Sequence, residues 1–265
     1  MSAEATPEAE EGGKPQGIEA PESGCTREAL TRDAVLGGRI LLRQPKDGYR
    51  FSVDAVLLAR FADAQPEGTI LDLGCGCGVA ALILAYLHPG TRVFGVEIDD
   101  SQARLARLNA VENGLAERVR IVRLDWKELP HPALPRFFDL VVVNPPFRKA
   151  GSGRRNPAPS KAAARHEMAG SLSDAAAAAS LVLHRGGRFA AIYPASRLAD
   201  AFAAFIQNGI EPKRLRIVHS RPGEPARLVL IEVRKGAGRE LAVLPPLFLY
   251  GEGRDYSPET AALLG

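Results

Sequence analysis

The sequence is poor in cysteine and lacks any apolar run long enough to span a membrane. Its three cysteines are Cys25, Cys75 and Cys77, and the last two are separated only by a glycine. This number and spacing exclude both a disulfide framework and a four-ligand zinc site. Met1 is followed by acidic residues and not by the basic and apolar segments of a secretion signal. We therefore expect a protein of the reducing cytoplasm with no membrane partner.

Histidines are also few and scattered. The five of them, none at a spacing typical of metal ligands, are His88, His131, His166, His184 and His219. The sequence therefore predicts no metal site and no catalytic histidine. What is present is an ordinary globular composition, with 46% hydrophobic and 25% charged residues in a chain of 265.

Charge is distributed unevenly along the chain. Residues 1–30 carry seven acidic side chains against Lys14 and Arg27, a balance of −5; since the whole chain carries +3, residues 31–265 carry +8. The first 30 residues contain hardly any apolar side chains, so they are predicted to form a disordered acidic tail. Residues 31–265 are predicted to form a single domain, whose basic character suits a polyanionic partner.

Strand-like and helix-like apolar patterns alternate through this domain, as in folds built from βαβ units. Strands are predicted at residues 39–44, 69–73, 92–97, 119–124, 138–143, 187–193, 214–219 and 227–233, and helices at 54–61, 79–87, 99–113, 172–183 and 196–208. Too few residues join the last two strands for a crossover helix, so this pair must be antiparallel. The sequence thus predicts a mostly parallel α/β sheet with a C-terminal antiparallel hairpin, preceded by a strand and helix in segment 31–62.

A glycine-rich loop, Asp-Leu-Gly-Cys-Gly-Cys-Gly at residues 72–78, follows one predicted strand and opens a helix. Alternate glycines let the backbone turn sharply and approach a ligand closely. Glu97 ends the next strand, where an acidic side chain binds ribose hydroxyls in nucleotide-binding folds. Asp72 precedes the glycines, and a carboxylate there suits a cationic ligand better than a pyrophosphate. The loop therefore favours S-adenosylmethionine over a nicotinamide cofactor.

The apolar run at residues 138–143 ends abruptly in Asn144, Pro145, Pro146 and Phe147. The prolines cannot continue a hydrogen-bonded ladder, so they make a stiff loop at the carboxyl end of a central strand. Open α/β sheets bind their ligands at such strand ends. Alone, the pattern could be a mere strand terminator, but its occurrence after the glycine loop indicates a reaction site.

Together these two motifs resemble those of class I S-adenosylmethionine-dependent methyltransferases, in the branch that methylates amino groups. The resemblance covers about residues 70–233 and implies a Rossmann-like, mostly parallel seven-stranded sheet. It also implies a set of cofactor-binding residues. These are Asp72, Gly74, Gly76 and Gly78 at the methionine and ribose, Glu97 at the ribose diol, Ile98, Asp125 and Trp126 at the adenine, and Asn144. For one of them, Trp126, plain core packing remains the alternative. Cys75 and Cys77 are interpreted as small fillers of the loop.

The same resemblance gives the Asn-Pro-Pro-Phe motif a catalytic role. The Asn144 side-chain oxygen and the Pro145 carbonyl would accept hydrogen bonds from an exocyclic amine and so free the nitrogen lone pair for in-line attack. Pro146 would stiffen the loop, and Phe147 would stack on a target ring extruded from its neighbours. No general base is needed before the attack.

Features outside this core indicate which amine is methylated. Residues 44–59, 164–167, 172–174 and 250–257 are similar to those of bacterial tRNA1(Val) (adenine-37-N6)-methyltransferases, and by that resemblance Phe51 and Asp54 would close over the cofactor. The prediction is N6-methylation of adenine in a tRNA anticodon loop. The alternatives are adenine N6 or guanine N2 in ribosomal RNA, glutamine in a release factor, and, from a different class, a non-enzymatic RNA-binding protein on the same fold.

The segment after the catalytic motif is strongly basic. Between positions 148 and 165 it has no acidic residue, and its basic residues are Arg148, Lys149, Arg154, Arg155, Lys161 and Arg165. Because the segment borders the place where a target base must enter, these side chains are predicted to contact RNA phosphates. A solvated basic loop without a ligand is the alternative.

Overall fold

The computed structural model describes residues 30–46, 52–145 and 171–265. Apart from Leu30, the predicted acidic tail lies outside these residues. Within them, no helix is long and apolar enough to cross a membrane.

The described elements alternate between strands and helices. In chain order they are β1 (Leu30–Val35), β2 (Ile40–Pro45), α1 (Val53–Phe61), β3 (Thr69–Leu73), α2 (Val79–Leu87), β4 (Arg92–Glu97), α3 (Asp100–Glu112), β5 (Val119–Arg123), a 3-10 helix (Trp126–Glu128), β6 (Phe138–Val143), α4 (Leu172–Val182), β7 (Leu183–Pro194), a 3-10 helix (Ala195–Arg197), α5 (Leu198–Gln207), β8 (Ile210–His219), β9 (Ala226–Lys235), β10 (Ala242–Phe248) and α6 (Pro258–Leu264).

The main sheet of the described chain has eight strands in the order β10-β8-β9-β7-β6-β3-β4-β5. Neighbouring strands are parallel except where β9 pairs with β7 and with β8. The predicted α/β class and the antiparallel pair are confirmed. The predicted strand number of seven is corrected to eight, because β10 extends the edge beside β8 although it contains Pro245 and Pro246. An edge strand tolerates proline because its outer side need not donate hydrogen bonds.

The central strands β3 and β6 are largely apolar because both faces of the sheet are covered. Successive residues therefore enter opposite cores. Ile70 and Val142 belong to one buried cluster, and Leu71 and Val141 belong to the other. This double burial fixes the strand register, since a slip of one residue would exchange the two faces.

The strands β1 and β2 form a separate antiparallel hairpin that α3 attaches to the body. Asn113 satisfies both backbone groups of Leu41, with Oδ1 accepting from N at 2.8 Å and Nδ2 donating to O at 2.7 Å. One helical turn earlier, Asn109 satisfies both groups of Arg43, at 2.8 and 3.1 Å. The two asparagines thus pair with the outer edge of β2 as a third strand would. Only the second strand of this hairpin is predicted from the sequence.

Candidate active site at the carboxyl edge of the sheet

The carboxyl ends of β3 and β6 lie side by side at the topological switch point of the sheet, where the connections from the two strands lead to opposite sides. From β3 the chain continues to β4 on one side, and from β6 it continues to β7 on the other. Leu73 pairs with Val143, so Gly74 and Asn144 are the first residues beyond two adjacent strand ends. Open α/β sheets bind ligands in the crevice that such a switch creates. The glycine loop and Asn144 therefore lie side by side at this switch point.

The glycine loop has a backbone that glycine adopts readily. Gly74, Gly76 and Gly78 have φ angles of 67°, 55° and 90°, in the left-handed region that costs other residues energy. The Gly74 amide donates to the Val96 carbonyl of β4 at 2.9 Å. A Cβ at Gly74 would lie 2.9 Å from Cζ3 of Trp126. The loop is therefore held between β4 and the Trp126 ring.

Two carboxyl groups, Asp72 and Glu97, flank the loop. Asp72 is 3% exposed, and its Oδ2 accepts from Ala81 N at 3.1 Å. Glu97 accepts from Gly76 N through Oε2 at 2.9 Å and from Asp99 N through Oε1 at 2.8 Å. Burial raises the pKa of Asp72 to about 7 and also raises the pKa of Glu97. Each carboxylate oxygen can accept a further bond, so a cationic ligand with hydroxyl groups fits here.

The 3-10 helix after β5 borders the glycine loop through Trp126. Asp125 caps this helix by accepting from Lys127 N at 3.0 Å. Trp126 is 6% exposed, and its buried Nε1 has no hydrogen-bond partner among the described residues. Buried indole N–H groups usually have a partner, so a ligand with an acceptor near this ring fits. Ile98 is half-buried between Glu97 and α3.

The two cysteines of the loop are buried thiols. Burial raises the pKa of Cys77 to about 12 and that of Cys75 in the same direction, so both stay protonated at neutral pH. Cys75 packs against Gly95 of β4, where an added Cβ would lie 2.8 Å from its Sγ and 2.6 Å from Cδ1 of Ile121. The sequence interpretation missed Gly95, although a glycine inside an apolar strand is a signal of close approach.

Asn144 is half-buried and Pro145 is buried, directly beyond the end of β6. Asp54 of the predicted cofactor set is half-buried in the first turn of α1. Several predicted site residues lie outside the described residues, namely Phe51, Pro146, Phe147, Arg148, Lys149, Arg154, Arg155, Lys161 and Arg165. Elsewhere in the described ranges, no three His, Cys, Asp or Glu side chains are arranged to hold a metal ion.

Asn109 of α3 connects the amino-terminal hairpin to the glycine loop. Besides its two bonds to Arg43, it donates from Nδ2 to the Cys77 carbonyl at 2.9 Å. The residue is fully buried, and its one acceptor and two donor groups are all used. The sequence interpretation missed this residue. Its one signal is a polar side chain on the buried face of α3, beside Ala106 and Ala110.

A sheet of this order, with a glycine loop and Asn144 at one switch point, is the arrangement of class I methyltransferases. A family model described as the methyltransferase small domain matches residues 52–166. The tRNA1(Val) (adenine(37)-N6)-methyltransferase of Porphyromonas gingivalis is 36% identical over 191 residues, which are 70% of this chain and 74% of that protein. The protein of the same name from Yersinia enterocolitica is 30% identical over 224 residues, covering 81% and 84%. The chain therefore belongs to the tRNA1(Val) (adenine(37)-N6)-methyltransferase family.

Solved structures agree with this fold. A predicted O-methyltransferase from Agrobacterium tumefaciens superposes with a TM-score of 0.64 at 24% identity, covering 79% of this chain and 94% of that one. TrmN from Thermus thermophilus superposes with a TM-score of 0.50 at 25% identity, covering 68% and 48%. The predictions of a Rossmann-like methyltransferase, and of S-adenosylmethionine as its cofactor, are confirmed.

Proposed function

We propose that this protein methylates N6 of an adenine in the anticodon loop of a tRNA. The observation that carries the proposal is the register of β3 and β6, which sets Asn144 beside the glycine loop, one residue beyond the paired Leu73 and Val143. A hydrogen-bond acceptor for an amine and a loop suited to a cationic cofactor thus share one crevice. The names of the relatives support the substrate, since each specifies adenine 37 of tRNA1(Val).

The described residues fit S-adenosylmethionine, which when bound supplies a methyl group on a sulfonium ion. Asp72 provides negative charge for the cationic methionine end, and Glu97 provides acceptors for the ribose hydroxyls. Trp126 has a buried N–H without a partner in the described chain, to which the adenine can offer an acceptor. Ile98 and Asp125 complete the proposed adenine pocket. The glycines Gly74, Gly76 and Gly78 let the backbone approach the ligand. We propose that Phe51 and Asp54 cover the methionine end of the cofactor. For Phe51 this proposal rests on the sequence alone.

Asn144 makes the amine of adenine a better nucleophile. The lone pair of an exocyclic amine is delocalised into the ring, and acceptors at the Asn144 oxygen and the Pro145 carbonyl favour a pyramidal nitrogen. These acceptors also stabilise the positive charge that grows on nitrogen in the transition state. Pro146 keeps the loop stiff, and Phe147 stacks on the extruded ring.

The test of the catalytic role is Asn144→Ala. We expect kcat to fall by about 10²-fold or more, by analogy with the loss of one preorganised polar contact. The Kd for S-adenosylmethionine from calorimetry should change far less, because the other cofactor-binding residues remain in place. Asp72→Ala is the contrasting variant, because it should weaken cofactor binding. Turnover of Asn144→Ala within a few-fold of wild type contradicts the assigned role.

The substrate is tested by offering total tRNA, ribosomal RNA, DNA and a release factor with labelled cofactor, followed by identification of the methylated group. We expect label in N6-methyladenine of tRNA. Label in protein or in N2-methylguanine overturns the substrate and leaves the role of Asn144 standing. The basic residues from Arg148 to Arg165 are proposed to bind the phosphates of the stem-loop, which makes the KM for RNA depend on salt.

We also propose that residues 31–265 form one cytoplasmic methyltransferase domain preceded by an acidic tail. Contacts of the first two described segments with the last one support a single unit. Leu36 N donates to the Leu264 carbonyl at 3.0 Å, and Arg60 Nε donates to the Leu263 carbonyl at 2.9 Å. Removal of residues 1–29 should therefore leave the melting temperature and activity unchanged, and a large loss of either contradicts the division.

A further inference from the structure

The loop at residues 249–257 lies at the same edge of the sheet as the active site. It follows β10, and Leu249 N donates to the His219 carbonyl at the end of β8 at 2.9 Å. Because β8 and β10 run in the same sense as β3 and β6, their carboxyl ends face the side of Gly74 and Asn144. Three strand spacings separate β6 from β8, which is roughly 14 Å. A substrate larger than a nucleotide can therefore reach both places.

Two rings of this loop stack on each other, and a guanidinium group from the connection between β8 and β9 lies over one of them. The rings of Tyr250 and Tyr256 are 5.4 Å apart with an interplanar angle of 10°. The Arg221 guanidinium lies 5.4 Å from the centroid of Tyr250. Arg221 also donates to the carbonyls of Gly251, at 2.7 Å, and of Gly253. The stack is thus fixed by hydrogen bonds to the loop backbone before any ligand arrives.

The outer member of the stack is exposed. Tyr256 is 43% exposed, whereas Tyr250 is half-buried. Closing the loop accounts for Arg221 and Tyr250, because their contacts are with the loop itself. Tyr256 also closes the loop, because it stacks on Tyr250 and pairs with it in an isolated β-bridge. These contacts still leave Tyr256 43% exposed at the edge where the substrate enters.

The charges around the stack are balanced. In residues 221–227 and 252–255 there are three basic and three acidic side chains, namely Arg221, Arg227, Arg254, Glu224, Glu252 and Asp255. A balanced surface does not attract phosphates strongly, so the ligand that this stack suits is a base and not a backbone. Unpaired bases of RNA bind proteins by stacking on aromatic rings and on arginine planes.

We propose that Tyr256, supported by Tyr250 and Arg221, is a stacking platform for an unpaired base of the RNA substrate other than the methylated adenine. The platform deepens the proposed function and rests on it, since it needs an RNA with unpaired bases near the target. Binding there adds affinity that does not depend on salt. It also favours RNAs whose loop can place a second base about three strands away from the target.

The test compares Tyr256→Ala with Tyr256→Phe. Stacking of one base is worth enough for a tenfold or larger rise in the KM for tRNA, and we expect that rise in Tyr256→Ala only. The kcat, the Kd for S-adenosylmethionine and the salt dependence of KM should stay as in wild type. Tyr86→Ala is the matched control, because Tyr86 is 37% exposed near the end of α2, away from this edge.

Two results overturn the platform, namely an unchanged KM in Tyr256→Ala or an equal loss in Tyr256→Phe, which would assign the effect to the hydroxyl. If Tyr256→Ala lowers the melting temperature, Tyr256→Leu keeps an apolar side chain without a stacking face and should show the same rise in KM. Direct binding of an anticodon stem-loop separates this proposal from the proposed function. A wild type that binds the stem-loop through Tyr256 but methylates no tRNA rejects the function and keeps the platform.

Discussion

Replacing Asn109 by alanine removes three hydrogen bonds from a fully buried position. Two of these bonds hold Arg43 of the hairpin, and the third holds the Cys77 carbonyl of the glycine loop. A buried polar group that loses its partner costs about 1–3 kcal/mol, and the edge of β2 is partly open to water. We therefore expect Asn109→Ala to lower the free energy of unfolding by about 3 kcal/mol.

The bond to Cys77 predicts an additional effect on the cofactor. Without it, the end of the glycine loop is less fixed in the binding conformation, and one net hydrogen bond is worth about 1 kcal/mol. That difference corresponds to a roughly fivefold increase in the Kd for S-adenosylmethionine. Asn109→Asp should behave no better than alanine, because a carboxylate cannot donate to the carbonyls of Arg43 and Cys77.

Asn113→Ala provides the control. Asn113 holds the next part of the same hairpin, at Leu41, but has no bond to the glycine loop. Urea unfolding should show both variants to be destabilised, whereas calorimetric titration with S-adenosylmethionine should show weaker binding only in Asn109→Ala. Equal affinity in the two variants would refute the coupling of hairpin and loop and leave Asn109 a purely structural residue.

Three further predictions concern single side chains. Because burial raises the pKa of Asp72 from 3.8 to about 7, the cofactor-free protein should lose stability as pH rises from 3.8 to about 7. Asp72→Asn should reduce that loss in melting curves recorded across this range, and the remainder comes from Glu97, whose pKa burial also raises. Gly74→Ala should lower stability to urea more than Gly76→Ala, since both adopt positive φ but only the first adds a Cβ 2.9 Å from Trp126; equal losses would contradict this packing. The Arg185 carbonyl and the Asp139 carboxylate raise the pKa of His184 above 6.5, so the pair stabilises the fold below that pH and the gain is lost as pH rises through the raised value. His184→Ala should thus lower the free energy of unfolding more at pH 6 than at pH 8. The difference should be less than about 1 kcal/mol because both side chains are over a third exposed, and a pH-independent loss would argue against the ion pair.

The centre of the fold could be predicted almost residue by residue. The bounds of β3, α2, β4 and β6 in the structure are those that the sequence predicts. Three of them, β3, α2 and β6, are largely apolar runs that end near a residue unsuited to their continuation, such as Gly74 after β3 and Pro89 after α2. Because such strands are buried on both faces, their continuous apolar sequence identifies them without knowledge of their neighbours.

The edges of the fold could not be predicted in this way. β1 mixes polar and apolar residues, and β10 contains two prolines and a Val243 that is 61% exposed. Neither pattern is that of a buried strand. β1 is held by its hairpin partner β2, whereas β10 is held by β8, more than twenty residues earlier in the sequence. The same holds for Asn109, whose bond to Arg43 joins residues 66 positions apart. The glycines and acidic residues of the site can be recognised in the sequence because they form local motifs. Residues such as Asn109 that hold these motifs in place cannot be recognised in this way.

Trp126 is the only tryptophan of the chain, and its ring lies against Gly74 with an indole N–H unpaired within the described structure. Indole fluorescence, excited at wavelengths that spare tyrosine, therefore originates from a single place at the border of the cofactor crevice. Any group that meets the ring or its N–H will change the emission of the whole protein. The molecule thus contains its own optical reporter, with which ligand occupancy can be followed in real time and without a label.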